Sequence, residues 1–296
     1  MTRVRDYLDS YRLVRLIRAG HSSQVWEAVN EEDGTRYALK VLRPEGRNNR
    51  EELGFLKHEF EVAHGFKHPN IIKILQFKPD GPAPYLVMEL FNAKNMKLEL
   101  REGAVRIAHN APKIIEQSAE ALYYLHTQGW IHCDVKPDNF LVGDDGFVKL
   151  IDFAIAQKQR RGLAKLFGRS KVVQGTRSYM SPEQIRGESL DPRADLYSFA
   201  CVLFELVGGK PPFTGDSPND LLNKHLKAPI PSVQVANSNV TAEFGALLRK
   251  MMAKNRNQRP ESMWEFLKAF RALHVFHTLP PAPKPVPPED EANKQT

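Results

Sequence analysis

The stretch His132-Cys133-Asp134-Val135-Lys136-Pro137-Asp138-Asn139, with Asp152-Phe153 thirteen residues past Asn139, constrains this chain more than any other feature. Between the two lie the apolar runs Phe140-Leu141-Val142 and Phe147-Val148-Lys149-Leu150, separated by Gly143-Asp144-Asp145-Gly146, a pattern that predicts a β-hairpin. The hairpin presents Asn139 at one end and Asp152 at the other. A fold that accommodates it gathers the carboxylate of Asp134, the ammonium of Lys136, the carboxamide of Asn139 and the carboxylate of Asp152. That set suits the movement of a phosphoryl group onto a hydroxyl: a base for the nucleophile, a cation for the moving charge and two oxygen donors for a metal ion.

The rest of the chain supplies a scaffold in two styles. Residues 11 to 17 alternate as a half-buried strand, and Gln24 to Val29 resumes that character after Arg18-Ala19-Gly20-His21-Ser22-Ser23. Tyr37 to Leu42 is a further strand with Lys40 inside it, and residues 51 to 66 carry Leu53, Leu56, Phe60 and Ala63 at helical spacing. Tyr85 to Phe91 is a continuous apolar strand. Beyond it the pattern turns helical, with Ile114, Ile115, Ala121, Leu122 and Leu125 on one face and Gly129 as a stop. The segment from Asp195 to Gly209 is apolar nearly all round and reads as a buried helix; helices near 241–254 and 261–275 follow.

Taken together, His-x-Asp-x-Lys-Pro-x-Asn and Asp-Phe at this distance resemble the protein kinase superfamily. The resemblance extends from residue 11 to 275, and Lys210-Pro-Pro-Phe-Thr-Gly-Asp-Ser-Pro with Asp220-Leu-Leu-Asn-Lys-His-Leu is most similar to the eukaryotic-like Ser/Thr kinases of bacteria. It implies an α+β fold of two lobes, a small mainly antiparallel β lobe with one helix (11–91) over a larger mainly helical lobe (92–275). It also implies ATP and Mg2+ as cofactors and protein Ser or Thr hydroxyls as acceptors, because Lys136 with Pro137 matches Ser/Thr rather than Tyr enzymes. On that resemblance Asp134 is the base, Lys136 an electrostatic stabiliser, and Asn139 and Asp152 the metal ligands. Lys40 paired with Glu59 clamps the phosphates; Glu61, roughly 200° away around the helix, is the alternative partner. Thr176 contacts the catalytic Asp and Lys.

The nucleotide is expected among Ile17, Gly20, Ser22, Ser23, Val25, Ala38, Met88, Glu89, Phe91 and Leu141. On the same resemblance Met88 is expected to gate the back of the pocket and the backbone of Glu89 and Phe91 to face adenine. Glu183 of Ser181-Pro182-Glu183 is expected to pair with Arg259, and Asp195 to brace the catalytic loop.

Several positions depart from the family pattern. Arg18 and Ser23 stand where its phosphate loop has glycines, Ala154 replaces the glycine after Asp-Phe, and Cys133 replaces the arginine before the catalytic aspartate. Losing that arginine removes the charge partner of a phosphorylated activation segment, so activity is expected to depend little on that modification. Ala63 falls where the stack through Ile74, Phe153 and His132 usually has a larger side chain. These departures keep an alternative open, a pseudokinase acting as a nucleotide-binding scaffold or allosteric partner.

Composition narrows the setting. The opening Met1 to Asp6 lacks the apolar core of a signal peptide, and no apolar run is long enough to span a bilayer. Cys133 and Cys201 are too few for a disulfide framework, which points to a reducing cytoplasm; Cys133 is read as a small packed side chain or a redox-sensitive thiol. A net charge of +7 is concentrated in Gln157 to Lys171, a basic loop that is either solvated or docks an acidic substrate or partner. Nucleic acid is disfavoured, since one basic loop is not a binding face. Ser22, Ser23, Ser170 and Thr176 are the positions at which autophosphorylation, with self-association, is expected. From 276 to 296 the chain is Pro-rich and expected to be disordered.

Overall fold

The computed structural model describes residues 7–43, 49–81, 83–103, 105–159 and 175–283 of the 296-residue chain. The basic stretch from Arg160 to Lys171, Ser170 within it and the tail from Lys284 onward lie outside the described residues.

The small lobe is a six-stranded sheet. It comprises β1 (Tyr7–Leu8), β2 (Tyr11–Ala19), β3 (Ser23–Asn30), β4 (Arg36–Leu42), β5 (Ile74–Lys78) and β6 (Tyr85–Glu89), in the order β1-β2-β3-β4-β6-β5 with antiparallel pairing throughout. Strand alternation assigns its two faces. Leu39 of β4 joins Leu8, Tyr11, Ala28, Tyr85 and Val87 in an outer cluster, whereas Ala38 and Leu42 belong to the main core that continues into the other lobe. Lys40 shares the second face. Helix α1 (Arg50–Ala63) begins at Asn49, whose side chain accepts from the Glu51 amide, and buries Leu56, Glu59, Val62 and Ala63.

The large lobe follows through β7 (Lys94–Asn95), α2 (Met96–Gly103), α3 (Val105–Ala108) and α4 (Ala111–Thr127). Next come β8 (Trp130–Ile131), β9 (Phe140–Val142), β10 (Val148–Leu150) and β11 (Gln157–Lys158). The hairpin expected on either side of Gly143–Gly146 is present as the antiparallel β9/β10 pair, and β8 pairs with β11. Helices α5 (Pro182–Ile185), α6 (Arg193–Gly208), α7 (Pro218–Lys227), α8 (Val233–Ala236), α9 (Ala242–Met251) and α10 (Met263–Arg271) complete it. Every residue of α6 from Ala194 to Val207 is buried, including Asp195, Ser198 and Glu205 among the apolar side chains, and Gly209 closes it in the left-handed conformation. The last two helices are shorter than their apolar periodicity suggests: α9 stops at Met251 and α10 at Arg271. No helix among the described residues is long and apolar enough to cross a membrane.

Candidate active site

The cleft between the lobes is organised by Lys40. Its Nζ lies 2.6 Å from Glu59 Oε2 and 3.1 Å from Asp152 Oδ1, joining β4, α1 and the turn after β10. Burial alone pushes Lys40 down, but attraction from Asp152 and Glu59 more than offsets it and leaves its pKa raised, an ammonium at neutral pH. Burial likewise opposes ionisation of Asp152, and the charges of Lys40, Lys136 and His132 reverse it, so the carboxyl is held below its usual range. Burial keeps Glu59 raised despite Lys40. Glu61, the alternative partner, is exposed and meets Lys57 at 3.6 Å.

Beneath this cluster the catalytic octet closes on itself. Asp134 Oδ2 receives Lys136 Nζ at 2.5 Å, and Oδ1 receives both the amide and the hydroxyl of Thr176 at 2.9 Å. Lys136 also donates to the Thr176 hydroxyl at 3.0 Å. That hydroxyl is thereby engaged on both sides, at odds with its serving as a phosphate acceptor in this arrangement. Asn139 donates through Nδ2 to the Asp134 carbonyl at 2.9 Å, while its Oδ1 is buried without a hydrogen-bond partner.

Such an orphaned buried acceptor costs free energy unless a cation or donor arrives. Together with the ionised Asp152, it fits a hard divalent cation that prefers oxygen.

Two main-chain positions in the site sit at positive φ without glycine's freedom, Cys133 and Asp152, both at 68°. Each costs on the order of 1–3 kcal/mol and persists only where the surroundings enforce it. For Cys133 the enforcement is visible. Asp195, buried in the first turn of α6, accepts from the His132 amide at 2.8 Å and the Cys133 amide at 3.0 Å, and Gln184 donates to the Cys133 carbonyl at 2.8 Å. The Cys133 thiol is buried and its pKa pushed well up, which agrees with packing rather than reactivity.

Sequence reasoning did not find what completes the stack behind the site. His132 and Phe153 pack at 5.4 Å, and Phe66, just beyond α1, stands edge-on to Phe153 at 6.2 Å. It supplies apolar bulk near the position that Ala63 leaves small. A second omission is Glu89. Its side chain, not only its backbone, is committed: it accepts from the Lys73 amide at 2.8 Å and pairs with Lys149 at 2.7 Å. A third is the buried Glu205, which receives Lys97 at 2.5 Å and Tyr179 at 2.6 Å. No periodicity signals such long-range polar pairs.

The expected nucleotide residues are carried by the small-lobe strands, the turn between β2 and β3, the end of β6 and β9. Val25 lies opposite Lys40, Ala38 opposite Met88, and Leu141 opposite Lys149 in the strand registers, and Ile17 is exposed on β2. Between β2 and β3 the Gly20 amide donates to the Ser23 carbonyl at 2.8 Å, and the Ser22 carbonyl accepts from the Arg43 amide at 2.9 Å. A Cβ on Gly20 would stand 2.9 Å from that Ser23 oxygen. Glycine is therefore required at 20 by contact, whereas Arg18 is an ordinary strand residue paired with Val25. Phe91 follows β6, with its ring 6.0 Å from that of Phe147.

Farther out, Glu183 and Arg259 form the expected pair, bidentate at 2.6 and 2.9 Å and almost fully buried. Ser181 has a local reason to stand before Pro182: it caps α5, its side chain accepting from the Gln184 amide while Gln184 returns a bond to the Ser181 amide.

A two-lobed fold with a buried lysine bridging two carboxylates above an Asp-Lys-Asn loop defines the protein kinase class. The family model described as "Protein kinase domain" matches residues 11–270, and the chain belongs to that family. Its relatives place it with the bacterial-type Ser/Thr kinases. It is 35% identical over 288 residues to the "Serine/threonine-protein kinase PknA" of Mycobacterium tuberculosis, covering 95% of this chain and 65% of that protein. It is 33% identical over 292 residues to the "Serine/threonine-protein kinase PknB" of Mycolicibacterium smegmatis, covering 96% and 46%. The chain thus spans under two thirds of the first relative's length and about half of the second's.

Proposed function

We propose that this chain is a catalytically competent Ser/Thr protein kinase unit, spanning 11–275 with lobes at 11–91 and 92–275, that moves the γ-phosphoryl of ATP to protein hydroxyls. The observation that carries the reading is the convergence of Lys40 on Glu59 and Asp152 beside an Asn139 oxygen left unpaired and buried. Asn139 Oδ1 and Asp152 are the residues that would hold Mg2+, which when bound neutralises charge on the phosphates.

The residues divide the remaining work. Lys40, held by Glu59, presents its ammonium to the phosphates, and the turn at Gly20 brings main-chain amides over them. Asp134 orients the acceptor hydroxyl and takes its proton, which requires the hydroxyl to replace one of the present partners of its carboxylate. Lys136 is the partner free to move, since it can follow the developing negative charge while Thr176 keeps Asp134 aimed. Most of the acceleration then comes from positioning and preset charge.

Incorporation of phosphate from ATP·Mg2+ into a generic protein acceptor, set against Asp134→Asn, tests this. Turnover abolished by that substitution supports the assignment. A signal no higher than the variant's would instead favour the scaffold reading that Cys133 and Ala154 suggest.

A further inference from the structure

Two neighbouring residues of α1 grip the segment that follows Asp152. Glu59 Oε1 accepts from the Phe153 amide at 3.4 Å, and His58 Nε2 lies 2.7 Å from the Ala156 carbonyl oxygen. A carbonyl only accepts, so Nε2 carries the proton. Ala156 is itself fixed by its amide bond to the Phe153 carbonyl at 3.1 Å. On the far side the His58 ring stands edge-on to Trp130 at 5.8 Å, and Trp130 lies opposite Lys158 in the β8/β11 pair, with the Lys158 ammonium 5.8 Å from its ring. One imidazole thus touches the strand leading into the catalytic loop and the segment leading out of the metal-binding turn, while its backbone belongs to the helix that aims Glu59 at Lys40.

We propose that His58 is a positioning residue of the phosphoryl-transfer site: by bonding the Ala156 carbonyl it locks α1 against the start of the activation segment, so that Lys40, Glu59 and Asp152 assemble without a phosphorylated residue to draw them together. This deepens the kinase reading and rests on it. The residue before the catalytic aspartate is the neutral, buried Cys133, which offers no cation to a phosphate. A neutral hydrogen bond from helix to segment fills the structural need by other means.

The test compares His58→Ala, which removes ring and bond, with His58→Gln, whose side-chain amide reaches to a similar distance and keeps a donor. All proteins are treated with phosphatase beforehand. One net hydrogen bond corresponds to about a five-fold change in the assembled population. We therefore expect His58→Ala to lower kcat/KM for ATP about five-fold and to speed amide exchange across residues 153–158 and along α1. The KM for protein substrate stays unchanged, and His58→Gln restores both quantities to within about two-fold. Equal damage in the two variants would assign the effect to ring packing and overturn the lock. So would a wild-type exchange pattern in His58→Ala. If the wild type shows no turnover above Asp134→Asn, the kinase reading fails, and the exchange data still decide whether His58 ties the helix to the segment.

Discussion

Replacing Thr176 by valine keeps the volume and the β-branch and removes one oxygen. That oxygen donates to Asp134 Oδ1 at 2.9 Å and accepts from Lys136 Nζ at 3.0 Å, while the Thr176 amide holds the same Asp134 oxygen at 2.9 Å. Hydrogen bonds to charged groups contribute about 1.5–3 kcal/mol each. The surviving amide contact and local water recover part of two such bonds, leaving a net loss of about 2–3 kcal/mol in the aim of Asp134 and Lys136. At 1.36 kcal/mol per decade, that is a fall of about 30- to 150-fold in kcat. Because Lys40, Glu59 and the Gly20 turn are untouched, KM for ATP should hold within about two-fold. Steady-state rates at saturating ATP, with any protein the wild type phosphorylates, measure it, and Thr176→Ser should recover all but about three-fold. A serine variant as impaired as the valine one, or a valine variant within about five-fold of wild type, would refute the argument that the hydroxyl does the aiming.

Asp152→Asn should abolish turnover while leaving a folded protein, since Lys40 retains Glu59; circular dichroism alongside the activity assay separates the two effects. Arg259→Ala leaves the Glu183 carboxylate buried without its partner, which costs about 3–5 kcal/mol and should lower Tm by roughly 6–20 °C in a scanning experiment. Glu183→Gln combined with Arg259→Met should be less destabilised than Arg259→Ala. Burial and the nearby Lys254 hold the His225 pKa down to about 4, with Tyr197 as its hydrogen-bond partner. The unfolded chain therefore binds the proton first as pH falls from about 6.5, and stability drops between there and pH 4 by on the order of 2–3 kcal/mol. Denaturant titrations across that range should show a shallower pH slope in His225→Phe.

The chemistry was legible because it is written in residue types at fixed spacing. Asp134, Lys136 and Asn139 sit within six positions, and the hairpin that carries Asp152 announces itself through its two glycines and apolar runs. Glu59 is preferred to Glu61 on the family resemblance; helical phase says only that the two point apart, and the structure buries Glu59 against Lys40 and leaves Glu61 exposed. Other features were not legible. Phe66 lies past the end of α1, where periodicity no longer says which way a side chain points. Lys149 with Glu89, and Glu205 with Lys97 and Tyr179, join segments 26 to 108 residues apart through polar atoms, and no pattern of hydrophobicity encodes such pairing. In the phosphate loop, two positions depart from the family's glycines, and the structure adds that at Gly20, the glycine kept, a Cβ would stand 2.9 Å from the Ser23 carbonyl oxygen.

Asp195 holds residue 133 by its amide and leaves the side chain out of the bargain. The strained peptide is thus held through main-chain atoms, and the position takes any residue that keeps its amide, tolerates φ of 68° and fits the core. A substitution there can change the charge beside Asp134 while the Asp195 and Gln184 bonds keep the loop's shape.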